Sequence, residues 1–145
     1  MLLWGFKTAA AFDVWSFEHF LNGISLAAFA GLFIDTLFKK HGFTGAQKRI
    51  LNFILTFALA LLWENIEHYA ETGLFGATVA YWFQGVEHWS NRLVADNLMV
   101  LLGWYVYMQK KSLSWAAKSL SLIWLLVHIF VFPHSMYLHI LFGAK

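Results

Sequence analysis

The stretch ILNFILTFALALLWENIEHY, residues 50–69, decides the fold because it is apolar over most of its length and then ends in acids and a histidine. A helix needs about 20 mostly apolar residues to cross a bilayer. Glu64 lies roughly 21 Å along such a helix from Ile50, so its carboxyl would lie about 9 Å below one edge of a hydrocarbon core of about 30 Å. A carboxyl at that depth needs a partner, and the stretch therefore predicts a buried polar site in a membrane protein.

The composition of the whole chain supports this prediction. Of the 145 residues, 60% are hydrophobic and 12% are charged, and the mean hydropathy is +0.60. Soluble domains are about 45–50% apolar and about 25% charged. The net charge of +2 is small and the basic residues stand in short clusters beside apolar runs, so no nucleic-acid partner is expected. The absence of cysteine excludes disulfides, iron–sulfur clusters and cysteine-ligated zinc.

Four segments are long and apolar enough to span a membrane, and together they predict an all-α integral membrane protein with a single domain over residues 1–145. Between the second and third spans, residues 74–89 are short, glycine-interrupted and aromatic, which is typical of an interfacial or re-entrant segment. A short interfacial helix is expected after Pro133, the single proline. The predicted spans are residues 14–38, 50–69, 91–108 and 113–132.

The basic residues predict the orientation of these spans. The first and third loops hold most of them: Lys39, Lys40, Lys48, Arg49, Lys110, Lys111 and Lys118. By the positive-inside rule these two loops are cytoplasmic, and both termini lie on the other side with the loop that contains Arg92. Seven of the eight acids, all but Asp35, and six of the seven histidines then fall in the outer half or at the outer surface.

The acids of the second span share a helix face with one histidine. Glu64, Glu67, His68 and Glu71 follow the spacing i, i+3, i+4, i+7. Glu64 is too deep to be a surface group, whereas Glu71 is expected at the headgroups as part of a polar helix end. An i, i+4 pair such as Glu64 and His68 can place both donors on one metal ion, because borderline divalent metals accept mixed oxygen and nitrogen ligands.

The first and third spans offer further polar groups. His19 begins a stripe of small residues at Gly23, Ala27 and Gly31, which would let a neighbouring helix pack closely and draw the imidazole towards it. His88 precedes the third span. Within that span Asp96 is expected to pair with Arg92, four residues earlier, or with a partner on the second span.

These patterns predict a divalent metal ion (zinc, iron or manganese) held near the outer leaflet, where it would activate water or dioxygen for reaction with a lipid-like substrate. The outer carboxylates far outnumber Arg92 and the two terminal lysines, so some must be protonated, hydrated or grouped around a cation. Glu67 and Asp96 would orient the ligands or act as a proton-handling base. The predicted ligands are Glu64, His68, His88 and His19.

Three alternatives remain open at this point. The chain could be a non-catalytic subunit of a larger membrane complex or a homo-oligomer, with its polar groups satisfying helix contacts among membrane lipids. It could transport protons or metal ions, although the inner half holds only Asp35 as an acid. It could also bind a haem between two of His68, His88 and His128.

The pattern W-E-x-x-E late in one span, followed by N-x-x-x-x-D early in the next, resembles that of small YjdF-like bacterial inner-membrane proteins. The matching residues are Trp63, Glu64, Glu67, Asn91 and Asp96, with His19-x-x-Asn22-Gly23 as a third block. The resemblance covers roughly residues 15–105. It implies a bacterial inner-membrane location and a recurring polar cluster in the outer leaflet, and it implies no particular activity.

Overall fold

The computed structural model describes residues 2–39, 42–83 and 85–127. Most of these residues are helical. The long helices are α1 (Trp15–Leu37) and α2 (Gly45–Glu71), followed by a short α3 (Ala77–Phe83). A π-helical segment, Asn91–Asp96, then leads directly into α4 (Asn97–Gln109), and α5 (Leu113–Leu126) follows.

Two of the described helices, α1 and α2, are long and apolar enough to cross a membrane. Helix α1 matches the span predicted at residues 14–38. Helix α2 begins five residues before the predicted Ile50 because Thr44 and Gln47 form a capping box, in which each side chain bonds the other residue's backbone N–H. The third and fourth predicted spans coincide with the π-helical segment plus α4 and with α5. The end of the fourth span and the interfacial helix after Pro133 lie outside the described residues.

The N-terminal segment departs from the all-α prediction. Leu2–Trp4 (β1) and Ala10–Phe12 (β2) form a parallel pair, with Leu2 opposite Ala10 and Trp4 opposite Phe12. Ladders of three residues are too short to show a period in the sequence. The loop between the strands carries Lys7, which is only 1% exposed, and the β pair thereby positions a lysine inside the protein.

Helices α1 and α4 pack with their backbones in direct contact. A Cβ added to Gly23 would overlap the Val100 carbonyl, and one added to Gly103 would overlap the Phe20 carbonyl. The stripe of small residues that was expected to accept a neighbouring helix is therefore the face of α1 that receives α4. Since His19 lies one turn before Gly23, this crossing directs its imidazole into the interior.

An asparagine joins three helices below this crossing. Asn52 of α2 donates to the Ala27 carbonyl of α1 at 2.8 Å and accepts from the Trp104 indole of α4 at 2.9 Å. The buried apolar cluster beside it is small, comprising Ile24, Ala27, Tyr107 and Ala117. The helices are thus held by close backbone packing and buried hydrogen bonds as well as by apolar contact.

The distribution of polarity is the reverse of that in a soluble domain. Most buried hydrophobic residues in the described part are alanines, whereas the buried polar set includes six glutamates and aspartates that lie in or beside the helices, with a lysine and an arginine. Large apolar side chains such as Leu32, Leu122 and Ile123 are more than half exposed. Soluble monomers rarely expose apolar surface so extensively.

Candidate functional site

The buried acids gather at one end of the helices, where α1, α2, the π-helical segment and the N-terminal loop meet. Six carboxyl groups and two cations, all less than a tenth exposed, make up this acid cluster together with the imidazole of His19. The carboxyl groups are those of Asp13, Glu64, Glu67, Glu71, Glu87 and Asp96, and the cations are those of Lys7 and Arg92.

Glu71 is the anchor for both cations. Its carboxylate accepts from Lys7 Nζ and from Arg92 Nη2, and it also accepts from the backbone N–H of Glu87 at 3.0 Å. Lys7 Nζ lies 3.9 Å from Glu67, and Arg92 Nη2 lies 3.6 Å from Glu87. Glu71 is the last residue of α2, as expected of a polar helix end, but its side chain is buried because the N-terminal loop covers it and supplies a counter-charge.

Asp96 takes its partners from its own helix and from α1. With its amide nitrogen facing the carboxylate, Asn91 donates to both Asp96 oxygens at 2.9 and 3.1 Å, and Ser16 Oγ donates at 3.3 Å. In a π-helix residues five apart are stacked, whereas in an α-helix they lie on different faces. This local geometry brings Asn91 onto Asp96 and turns Arg92 away, so the expected pair between Arg92 and Asp96 does not form.

His19 lies between two carboxylates. Its Nδ1 is 3.5 Å from Glu64 Oε1 and its Nε2 is 3.7 Å from Asp96 Oδ2. Glu64 is 2% exposed, and neither of its oxygens has a hydrogen-bond partner. Glu87 Oε2 is also buried without such a partner. Buried carboxylate oxygens that lack hydrogen bonds are costly, and they are rare in native proteins.

Two acids of the cluster, Glu87 and Asp13, lie outside the segments that the sequence predicts to span a membrane, and burial raises the pKa of each. Desolvation, reinforced by the nearby charge of Glu67, raises the pKa of Glu87 to about 8. Desolvation also raises the pKa of Asp13, although hydrogen bonds at the start of α1, such as that from Ser16 N–H at 3.2 Å, favour its charged form. The surplus of negative charge at this end of the molecule is therefore stabilised by proton uptake or by a cation.

Three overlapping groups of side chains in the described part could each hold a metal ion. In each group the ligand atoms lie within 4.8 Å of one another. Ligand atoms on opposite sides of a zinc, iron or manganese ion lie about 4.2 Å apart at metal–ligand distances of about 2.1 Å, so binding would require only small movements. The groups are His19, Glu64 and Glu67; Glu64, Glu87 and Asp96; and Glu67, Glu71 and Glu87.

A cavity of about 950 Å³ opens beside the acid cluster, among residues of α1, α2, α3, α4 and α5. Its wall is mostly leucine, tryptophan and phenylalanine, and His19 and Glu67 line it where it meets the cluster. A second polar patch in the wall contains Glu18 Oε2 and Ser25 Oγ, both buried without hydrogen-bond partners. The volume lies near the upper end of the range for small-molecule sites, about 300–1,000 Å³.

The structure brings together four of the six residues predicted from the sequence. His19, Glu64, Glu67 and Asp96 all belong to metal-capable groups. His68 lies on the exposed edge of α2 and accepts from Arg92 Nη1 at 3.0 Å through Nδ1. His88 is half-buried, and its Nδ1 contacts Ser90 Oγ at 2.8 Å. Neither of these two histidines belongs to a metal-capable group in the described part.

Sequence reasoning missed the roles of Lys7, Asp13 and Glu87 in the cluster. From the sequence, Lys7 counts only as a terminal lysine, and Asp13 and Glu87 count only among the seven outer acids. The available signal was the isolation of Lys7 and Asp13 within the apolar stretch MLLWGFKTAAAFDVW, residues 1–15. Lone charges in such a stretch favour burial against a partner of opposite charge.

Comparison of the chain with protein-family models, with curated proteins and with solved structures finds no match. The resemblance to YjdF-like proteins therefore stays a prediction. What the protein does has to be inferred from the acid cluster and the cavity themselves.

Proposed function

We propose that this protein is a membrane-embedded, metal-dependent enzyme that acts on a lipid-like substrate. The observation that carries the proposal is the position of His19 and Glu67. Both belong to a group that can hold a metal ion together with Glu64, and both also line the 950 Å³ apolar cavity. An ion held there would face a compartment suited to an acyl chain or another apolar molecule.

The membrane setting is supported by the helices and by the reversed polarity. Helices α1 and α2 are long enough to span a membrane. We propose two further, shorter spans: the π-helical segment together with α4, and α5. Both termini would face the non-cytoplasmic side of a bacterial inner membrane, as the positions of the basic residues indicate. The cavity would then be open to lipid in the outer leaflet.

The chemistry that a metal ion supplies at such a site is the activation of water or dioxygen. Glu67 reaches both the ligand group and the cavity, so it is suited to accept or donate a proton at the reacting atom. Glu18 and Ser25, on the cavity wall, would hydrogen-bond a polar group of the substrate. The reaction would therefore be a hydrolysis or an oxidation of an amphiphilic molecule.

Metal analysis of the protein purified in detergent tests the first part of the proposal. We expect bound manganese, iron or zinc in the wild type and its loss in Glu64→Gln, since Glu64 contributes to two of the three groups. Asp35→Asn is the matched control, because Asp35 is exposed and pairs with Lys48 instead. A wild type without metal, whose folding is unchanged by a chelator, would contradict the proposal.

Incubation with lipids tests the enzymatic part. Metal-loaded protein mixed with a total lipid extract should deplete one lipid class and yield a product visible by mass spectrometry. Glu67→Gln should lose most of the turnover, because Glu67 belongs both to the ligand group and to the cavity wall. Identical lipid profiles for wild type, Glu67→Gln and a protein-free sample, in the presence of bound metal, would favour a non-catalytic role in a membrane complex.

Ion transport has less support. The buried acids of the described part lie towards one end of the helices, whereas Asp35 at the other end is exposed and bonded to Lys48 at 2.6 Å. A relay across the membrane would need buried ionisable groups between these two ends. The buried polar groups found there are Asn52 and Thr56, which do not ionise.

A further inference from the structure

Two of the three metal-capable groups share one residue. Glu64 belongs to the group with His19 and Glu67 and also to the group with Glu87 and Asp96. A carboxylate has two oxygens and can bind a different ion through each of them. Glu64 can therefore contribute to two ion positions, one with His19 and Glu67 and one with Glu87 and Asp96.

The missing hydrogen bonds of these side chains also favour bound cations at the two positions. Both oxygens of Glu64 and one oxygen of Glu87 are buried without a hydrogen-bond partner, and the two residues are 2% and 5% exposed. Leaving such oxygens unsatisfied carries a desolvation penalty of about 1–3 kcal/mol per group, and more when the group is charged. Ligation of a cation would satisfy all three oxygens at once.

The third group already has its cations. Glu71 accepts from Lys7 and from Arg92, which also approach Glu67 and Glu87 respectively. The side-chain charges of the protein therefore take the place that an ion would occupy in the group of Glu67, Glu71 and Glu87. In the two groups that share Glu64, these cations approach only Glu67 and Glu87. Glu64 and Asp96 have only the imidazole of His19 within 4 Å among the charged contacts described.

Full ionisation of the acid cluster would favour two divalent ions over one. With every group ionised, the six buried carboxylates and the two buried cations sum to −4, with His19 neutral. One divalent ion would leave a charge of −2 in the interior, whereas two would bring the cluster to neutrality. Uncompensated charge is expensive in a low-dielectric interior.

From these observations we infer that the acid cluster holds a dinuclear centre, in which Glu64 bridges two divalent ions. This inference rests on the proposed function and specifies its site. Four carboxylates and one imidazole form a ligand set that favours manganese(II) or iron(II) over zinc, which prefers more nitrogen or sulfur. Two ions about 3.5–4 Å apart can stabilise both the attacking and the leaving oxygen of a displacement.

Manganese binding to chelator-treated protein in detergent tests the inference. Equilibrium dialysis should give two Mn²⁺ per chain, and the electron paramagnetic resonance spectrum should show two exchange-coupled ions rather than the six lines of an isolated one. Glu87→Gln should bind one ion without coupling, because, of the two groups that share Glu64, only the one with Asp96 loses a ligand. Asp35→Asn, outside the cluster, should bind two coupled ions as the wild type does.

The stoichiometry of the wild type separates the two proposals without depending on any variant. Two coupled ions support both, and a single uncoupled ion overturns the dinuclear centre while leaving a metal site in place. A wild type that binds none of Mn²⁺, Fe²⁺ and Zn²⁺ would overturn both. If Glu87→Gln proves unstable, Glu64→Asp provides a second variant, in which the shorter bridge should weaken the coupling while circular dichroism reports an unchanged fold.

Discussion

Lys7→Met should destabilise the protein far more than a matched change at Lys48. Lys7 pairs with Glu71 and lies 3.9 Å from Glu67, with its side chain 2% exposed. Lys48 pairs with Asp35 at 2.6 Å, but their side chains are 39% and 61% exposed. Both substitutions remove one ammonium from one lysine–carboxylate pair and keep an unbranched apolar chain, so burial is the main difference between them.

The expected magnitudes follow from the surroundings of each pair. At an effective dielectric constant of about 20, charges separated like those of Lys7 and Glu67 attract by about 4 kcal/mol. Removing one partner of a buried pair leaves the other charge uncompensated and typically costs about 3–5 kcal/mol. An exposed pair such as Lys48 and Asp35 is screened by solvent and contributes about 0–1 kcal/mol.

The assay is unfolding in mixed detergent micelles with increasing sodium dodecyl sulfate, followed by tryptophan fluorescence in the presence of a chelator. Lys7→Met should lose about 3–5 kcal/mol of unfolding free energy and Lys48→Met less than about 1 kcal/mol. Adding Glu67→Gln to Lys7→Met should recover part of the loss, because Lys7 is the one cation within 4 Å of Glu67 among the contacts described. Equal losses for the two lysine variants would refute the role of Lys7 as a buried counter-charge.

Three further predictions concern the helix crossing, the interhelical hydrogen bonds and pH. Gly23→Ala should destabilise by about 1–3 kcal/mol because its Cβ overlaps the α4 backbone, whereas Gly45→Ala, with open space around it, should be neutral or stabilising in the same unfolding assay. Asn52→Leu should cost about 1–3 kcal/mol by leaving buried groups without partners, and Asn65→Leu, whose amide bonds only its own exposed helix turn, should cost less than about 0.5 kcal/mol. Burial raises the pKa of Glu87 from its ordinary value to about 8, so the folded state holds this proton more tightly than the unfolded state. The stability of metal-free protein should therefore fall as pH rises from about 4.5 to about 8. Glu87→Gln should reduce that slope in unfolding curves taken across this range, and an unchanged slope would contradict the raised pKa of Glu87.

The sequence was sufficient for the long helices because their signal is local. Uninterrupted apolar length defines α1 to within a residue at each end, and α5 begins at the predicted Leu113. The first turn of α2 was missed because its start is marked by the capping pair of Thr44 and Gln47 and not by apolar residues. Whether each helix spans a bilayer is a separate question. Among the described helices, α1 and α2 are the ones long and apolar enough to do so.

The partners in the acid cluster were less predictable because they depend on contacts between distant residues. Lys7 and Glu71 are 64 positions apart, and their meeting depends on a β pair of three residues per strand. The π-helical segment altered the register as well, since an α-helical spacing pairs Arg92 with Asp96. One extra residue in the turn instead directs Arg92 to Glu71 and leaves Asp96 with Asn91.

These two features together explain why the cluster is divided as it is. The N-terminal loop and the π-helical segment bring Lys7 and Arg92 to the same carboxylate, Glu71, and so concentrate the side-chain positive charge at one edge of the cluster. Glu64, on the opposite edge, receives neither cation and has only the imidazole of His19 within 4 Å among the charged contacts described. Had Arg92 followed an α-helical register, it would have lain near Asp96 and compensated the second ion position. The π-helical turn therefore keeps the proposed ion position of Glu64, Glu87 and Asp96 free of Arg92. Restoring an α-helical register by deleting Ala95 should reduce the bound Mn²⁺ from two ions to one in equilibrium dialysis, with the helix content unchanged in circular dichroism.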